Sequence, residues 1–165
     1  MDDKALLRRG VDLRPGRSVR AKAAVRRGAA LSGRQWWVLG NTVVLLPLVA
    51  AAVRVVGVRR ATQLLARWLH GPGQVSNLAL AREVGDAVNL AARLSRGPSS
   101  TCLYRSLVTW HLLRRRSIDA VVIIGVRLDD EKGFMAHAWV EVDGIPVNDK
   151  PDIAQQFSPF PSFLP

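Results

Sequence analysis

The hydrophobic pattern changes period once, ahead of residue 120, and this limits the chain to a few architectures. Before that point apolar residues recur at helical spacing. Val56, Leu64, Leu65 and Trp68 do so in the segment 55–69, and Leu78, Leu80, Val84, Val88 and Leu90 in "SNLALAREVGDAVNLAARL". Ser76 is the expected cap of the second segment, and "HGPG" and "SRGPSS" end the two. Beyond the change, "AVVIIGVRL" (120–128) and "FMAHAWVEV" (134–142) are rich in residues that favour strands, "DDEKG" joins them, and "DG" returns the chain into "IPVND" (145–149). Helices followed by hairpins predict an α+β fold, with a helical N-terminal part ahead of three short antiparallel strands. The tail "PDIAQQFSPFPSFLP", with its four prolines, is expected to pack over a surface without joining the sheet.

A length of 165 residues suits one domain with an attached arm. Residues 1–35 hold ten Lys/Arg against three Asp and so carry most of the +11 formal charge. They read as a basic arm, with residues 36–165 as a single domain. Such an arm attracts polyanions, anionic lipid surfaces or acidic peptides. It has no Phe, Tyr or Trp before Trp36, which argues against a nucleic-acid partner. Trp36–Val53 is an uncharged run of 18 residues, at the lower edge of membrane-spanning length, interrupted by Gly40 and Pro47 and flanked by arginines on both sides. It fits a membrane span, a membrane-surface contact, or a buried or partner-facing helix. A single cysteine excludes an internal disulfide and a Cys-pair metal site; a reducing cytoplasm fits, and no signal peptide is evident.

That cysteine, Cys102, lies in "GPSSTCLYR", where Pro98 ends one element and Ser99, Ser100 or Thr101 can cap the next. A lone cytosolic cysteine is ordinarily a small buried apolar residue. In the first turn of a helix, however, free amides and the positive end of the dipole favour the thiolate, and the same amides suit an oxyanion. A base is also required. His70 sits at a helix end, and His111 lies on the cysteine helix about 13 Å further along its axis. His137 is in mid-strand between Ala136 and Ala138, where small neighbours leave room for another group. Asp149 can orient it if the hairpin loop has three residues, Val142, Asp143 and Gly144, with Gly144 left-handed. Glu141 then pairs with Ile145 and His137 with Asp149. A two-residue "DG" turn would pair Val142 with Ile145 and put Asp149 on the opposite face. The three-residue form is predicted, with Asp149 preferred to Asn148 as the orienter.

"TCLYRSLVTWHLLRRRSIDAVVIIGVRL" followed by "GFMAHAWVEVDGIPVND" resembles the stand-alone leader peptidases of lasso-peptide biosynthesis, over about residues 78–150. The resemblance implies a papain- or transglutaminase-like cysteine protease whose catalytic helix packs on a small antiparallel sheet. It implies Cys102 as nucleophile, His137 as base and Asp149 as orienter, with no cofactor or metal. It also implies three partners: a precursor peptide, a separate leader-recognition protein and an ATP-dependent macrocyclase. Thr101, Arg105 and Trp139 are supporting or cleft candidates; Trp139 shares a strand face with His137 and either lines the cleft or covers the imidazole. Two other readings stay open: a non-catalytic basic, membrane-associated or scaffold protein of the same fold, and a thiol acyl transferase.

Overall fold

A computed structural model describes residues 32–67, 76–95, 101–129 and 133–160. The arm through residue 31, His70, Ser99 and Ser100 lie outside these. The description concerns the unit Gly33–Pro165. Its elements run α1 (Gly33–Ala66), α2 (Leu78–Leu94), α3 (Cys102–Arg114), β1 (Val121–Asp129), β2 (Gly133–Val142), β3 (Ile145–Pro146), α4 (Ile153–Gln156) and β4 (Ser158–Phe160).

The apolar run and the amphipathic segment after it are two helices joined across a kink within α1. Gly40 and Pro47 do not interrupt the first, and Pro47 lies on an exposed face. The break comes instead at Gly57, whose φ of 81° and ψ of 165° are non-helical. One face of α1 supplies Val38, Leu46 and Val49 to the main core. The opposite face stays exposed. Helix α2 is capped by Asn77, not Ser76: the Asn77 side chain accepts the Leu80 N–H at 3.0 Å, while Ser76 hydrogen-bonds Asp143. Residues 106–113 of α3 are buried, so this helix is the hub against which α1, α2 and the sheet pack.

The sheet has four antiparallel strands in the order β3-β2-β1-β4. The fourth comes from the tail: Ser158–Phe160 pairs with β1, Gly125 opposite Pro159, so the expectation of an unpaired tail is wrong. Proline is tolerated there because β4 is an edge strand. Alternation along β2 divides the molecule into two layers. Val140 and Val142 face the helices, while Trp139 faces away and joins Ile153 and Phe157 in a second, smaller core.

The hairpin between β2 and β3 differs from the predicted form. Val142 pairs with Ile145 and Glu141 with Pro146, and both Asp143 (φ 52°) and Gly144 (φ 72°) are left-handed. This is the two-residue type I′ turn, whose twist matches that of the flanking strands. The consequence drawn for Asp149 nevertheless fails, because regular pairing ends at Pro146. Val147 N–H still bonds Val140 C=O at 3.0 Å, but the Val140 N–H is taken at 2.8 Å by the Asn148 side-chain oxygen. The chain bends there, and strand parity no longer decides where residue 149 points.

Candidate active site

Cys102 begins α3, with Thr101 in the N-cap position in extended conformation (φ −65°, ψ 158°) and without a side-chain capping bond. Thr101 contributes its carbonyl, which accepts Arg105 N–H at 3.1 Å. The cap is therefore backbone geometry alone, and the first amides of the helix keep no intrahelical acceptor. Residues 102 and 106, one turn apart on α3, both meet the part of the β2 edge that β3 leaves bare. Ser106 Oγ donates to Ala138 C=O at 2.9 Å, and the Cys102 sulfur receives a backbone bond from Ala138. A strand residue points its N–H and C=O to the same side, so one residue of β2 docks both positions of the helix.

The half-buried Cys102 thiol is in hydrogen-bond contact with the His137 ring. That contact is the main influence pulling its pKa below the ordinary thiol value. Burial opposes it, and bonds from Ala138 and Leu103 add to the lowering. His137 Nε2 lies 2.8 Å from Asp149 Oδ2, which leaves Nδ1 for the sulfur. The Asp149 bond and then the Cys102 bond push the imidazole up to about 9, against burial. For Asp149 burial is the largest single influence and raises the pKa. The bonds from His137 and from Lys150 N–H (2.8 Å to Oδ1), with the charges of His137 and Arg105, outweigh it and hold the carboxyl below its usual range. The structure thus brings Cys102, His137 and Asp149 together in a line at the end of a buried helix. Both chain ends of that line stay partly open to solvent, and the arrangement suits a thiolate–imidazolium pair.

The supporting candidates fall on different sides of the site. Trp139 is fully buried, so it does not line a cleft. Its ring lies 6.4 Å from that of His137 with a 22° interplanar angle, and its Nε1 donates to Glu141 at 2.7 Å. Phe157 stacks on His137 at 5.3 Å, lies under the Arg127 guanidinium at 5.0 Å, and packs with Trp139. Gly125 lies opposite His137 in β1, where a Cβ would stand 2.7 Å from both Trp139 and Phe157. Arg105 donates to Asn89 Oδ1 at 3.0 Å, and Asn89 Nδ2 donates to Asn148 C=O at 2.8 Å. The guanidinium therefore acts on the Asp149 loop through Asn89 and by charge.

Asn148, the alternative orienter, makes no bond to His137. It is buried, and besides holding Val140 N–H it donates to Ser106 Oγ at 3.1 Å, tying α3 to the 147–149 bend. Sequence patterns do not reveal Asn89, Ser106 or Phe157. Gly85 leaves one trace, a glycine in the interior of a helix where alanine would be more stable. His111 is buried at the far end of α3, in a cavity lined by α1, and burial lowers its pKa. Among the described residues no cluster of His, Cys, Asp and Glu could hold a metal ion.

Comparison with known proteins agrees with the resemblance read from residues 78–150. The microcin J25-processing protein McjB of Escherichia coli is 41% identical over 59 residues, which are 36% of this chain and 27% of that protein. The match therefore spans about a quarter of its length. No solved structure matches the chain. Residues 43–162 match the family model of the transglutaminase-like superfamily, a match that begins inside α1 and runs past β4. With a thiol at a helix start, a strand histidine and a carboxylate on the adjoining bend, over a helical layer and an antiparallel sheet, the chain belongs to the transglutaminase-like superfamily.

Proposed function

We propose that the protein is a cysteine peptidase that removes the leader from a ribosomally made lasso precursor, with Cys102 as nucleophile, His137 as acid–base and Asp149 as orienter. The observation carrying this reading is the contact order Cys102–His137–Asp149, with 2.8 Å between His137 and Asp149. The similarity to a microcin-processing protein supports the substrate class.

The thiolate attacks the scissile carbonyl, and the first-turn amides of α3 receive the developing oxyanion. The C–N bond then breaks, and the core amine leaves with the proton of the His137 imidazolium. Water, deprotonated by His137, attacks the thioester. This releases the leader as a carboxylate and restores the thiol. Asp149 keeps Nε2 engaged throughout, so Nδ1 stays aimed at the sulfur. The products are a leader acid and a core peptide with a free amine. That amine is the substrate an ATP-dependent macrocyclase needs, and a separate recognition protein would present the leader. Residues 36–165 would be the peptidase domain and 1–35 an arm, acting in the cytoplasm.

The test is incubation of purified protein, precursor peptide and recognition protein, with products read by mass. A leader and core differing from the precursor by one water support the proposal. Intact precursor after many expected turnovers contradicts it.

A further inference from the structure

The exposed face of α1 is large, apolar and continuous. Trp36, Gly40, Val43, Val44, Pro47, Leu48, Ala51 and Val55 all lie on it, at the spacing of a single helical stripe. Trp36, Val43, Val44 and Leu48 are 53–59% exposed and Val55 is 82% exposed. A stripe this long exceeds the scattered apolar exposure of an ordinary soluble surface. The opposite face of the same helix holds Val38, Leu46 and Val49 in the main core, so the stripe is the outward face of a helix that packs on the fold.

The charged side chains of α1 itself are all arginines. No Asp or Glu occurs between Gly33 and Ala66, whereas Arg54, Arg59 and Arg60 are exposed, as is Arg34, which pairs with Glu83 of α2 at 3.6 Å. In the sequence, the residues before Gly33 add nine Lys/Arg against three Asp. Exposed Trp36 and Trp37 stand at one end, the residue type that settles at a membrane–water boundary. Leu48 and Leu64 also line a cavity of about 510 Å3 between the two halves of α1 and the end of α3, whose walls are otherwise mainly apolar but include His111 and Arg115. Apolar room thus adjoins the stripe, with a cation beside it.

We infer that this face docks on an anionic phospholipid bilayer, α1 lying in the interface with its stripe toward the acyl chains and its arginines at the headgroups. Charge complementarity selects this occupant over an apolar protein surface, which would not call for an arginine-rich rim. Two weak signals, an apolar stripe and a polybasic segment, together give firm but reversible attachment. This inference does not depend on the peptidase reading.

Co-sedimentation of the full chain with vesicles tests it, comparing phosphatidylglycerol/phosphatidylcholine mixtures with phosphatidylcholine alone at about 0.15 M salt. The expected result is binding at least about tenfold tighter to the anionic vesicles, weakened at least about tenfold in Val44→Glu/Leu48→Glu. Should that pair fail to fold, judged by its thermal melt, Val43→Ser/Val55→Ser carries the same expectation in a milder form. No preference for anionic vesicles, or equal binding by a folded stripe variant, would overturn the inference. So would stripe variants that lose a protein partner while keeping vesicle binding.

Discussion

The carbonyl of Val147 occupies the place where a side chain on Gly85 would begin: a Cβ there would lie 2.2 Å from the oxygen and 3.0 Å from Asn148 Cα. Helix α2 thus approaches the bend before Asp149 by backbone contact, and four residues on, Asn89 bonds the Asn148 carbonyl. The bend that carries the carboxylate is braced by this helix through residues 147 and 148. Gly85→Ala is expected to destabilise the fold by about 1–3 kcal/mol despite the better helix propensity of alanine. Denaturant titration checks this, and a gain in stability would contradict the packing.

Asn148 should matter for the same bend without joining the chemistry. Asn148→Ala leaves Val140 N–H without its acceptor and removes the tie to Ser106. The expected cost is about 1–3 kcal/mol in stability, together with reduced turnover, because the Asp149 loop loses its anchor. Iodoacetamide reactivity of Cys102 at neutral pH should fall less than turnover does. Equal losses in both would place Asn148 in direct contact with the thiolate pair.

The pH dependence follows from the two shifts. The Cys102 thiol ionises below its ordinary value, so kcat/KM rises with pH through that lowered value. His137 must hold its proton to release the amine, and its pKa is about 9, so activity falls as pH rises through about 9. Asp149→Asn removes the first cause of the His137 shift. The alkaline limb should then move toward the ordinary imidazole value, which a rate profile from pH 5 to 10 would show. An unmoved alkaline limb would mean that His137 is not the group titrating there.

Much of the site is legible in the sequence, for local reasons. The run before Cys102 ends one element and starts another, and the small residues beside His137 leave space for a partner. What is not legible is long-range. Strand parity predicts the wrong loop for Asp149, because parity assumes a continuing backbone ladder and the Asn148 side chain replaces that ladder after Pro146. The stacking of Phe157 on His137 depends on a tail strand that prolines argue against, but an edge position makes it acceptable. Gly125 reads as an ordinary strand residue until Trp139 and Phe157 are seen to close over it. Likewise, that the apolar run packs one face on the core and leaves the other exposed is seen only in the fold.

The most direct measurement is cleavage of the precursor by wild type and by Cys102→Ala, His137→Ala and Asp149→Ala, with recognition protein present and products weighed by mass. The account predicts losses of at least about a thousandfold for the first two and a smaller loss for the third, as for catalytic triads generally. Cleavage at the wild-type rate by folded Cys102→Ala would contradict it.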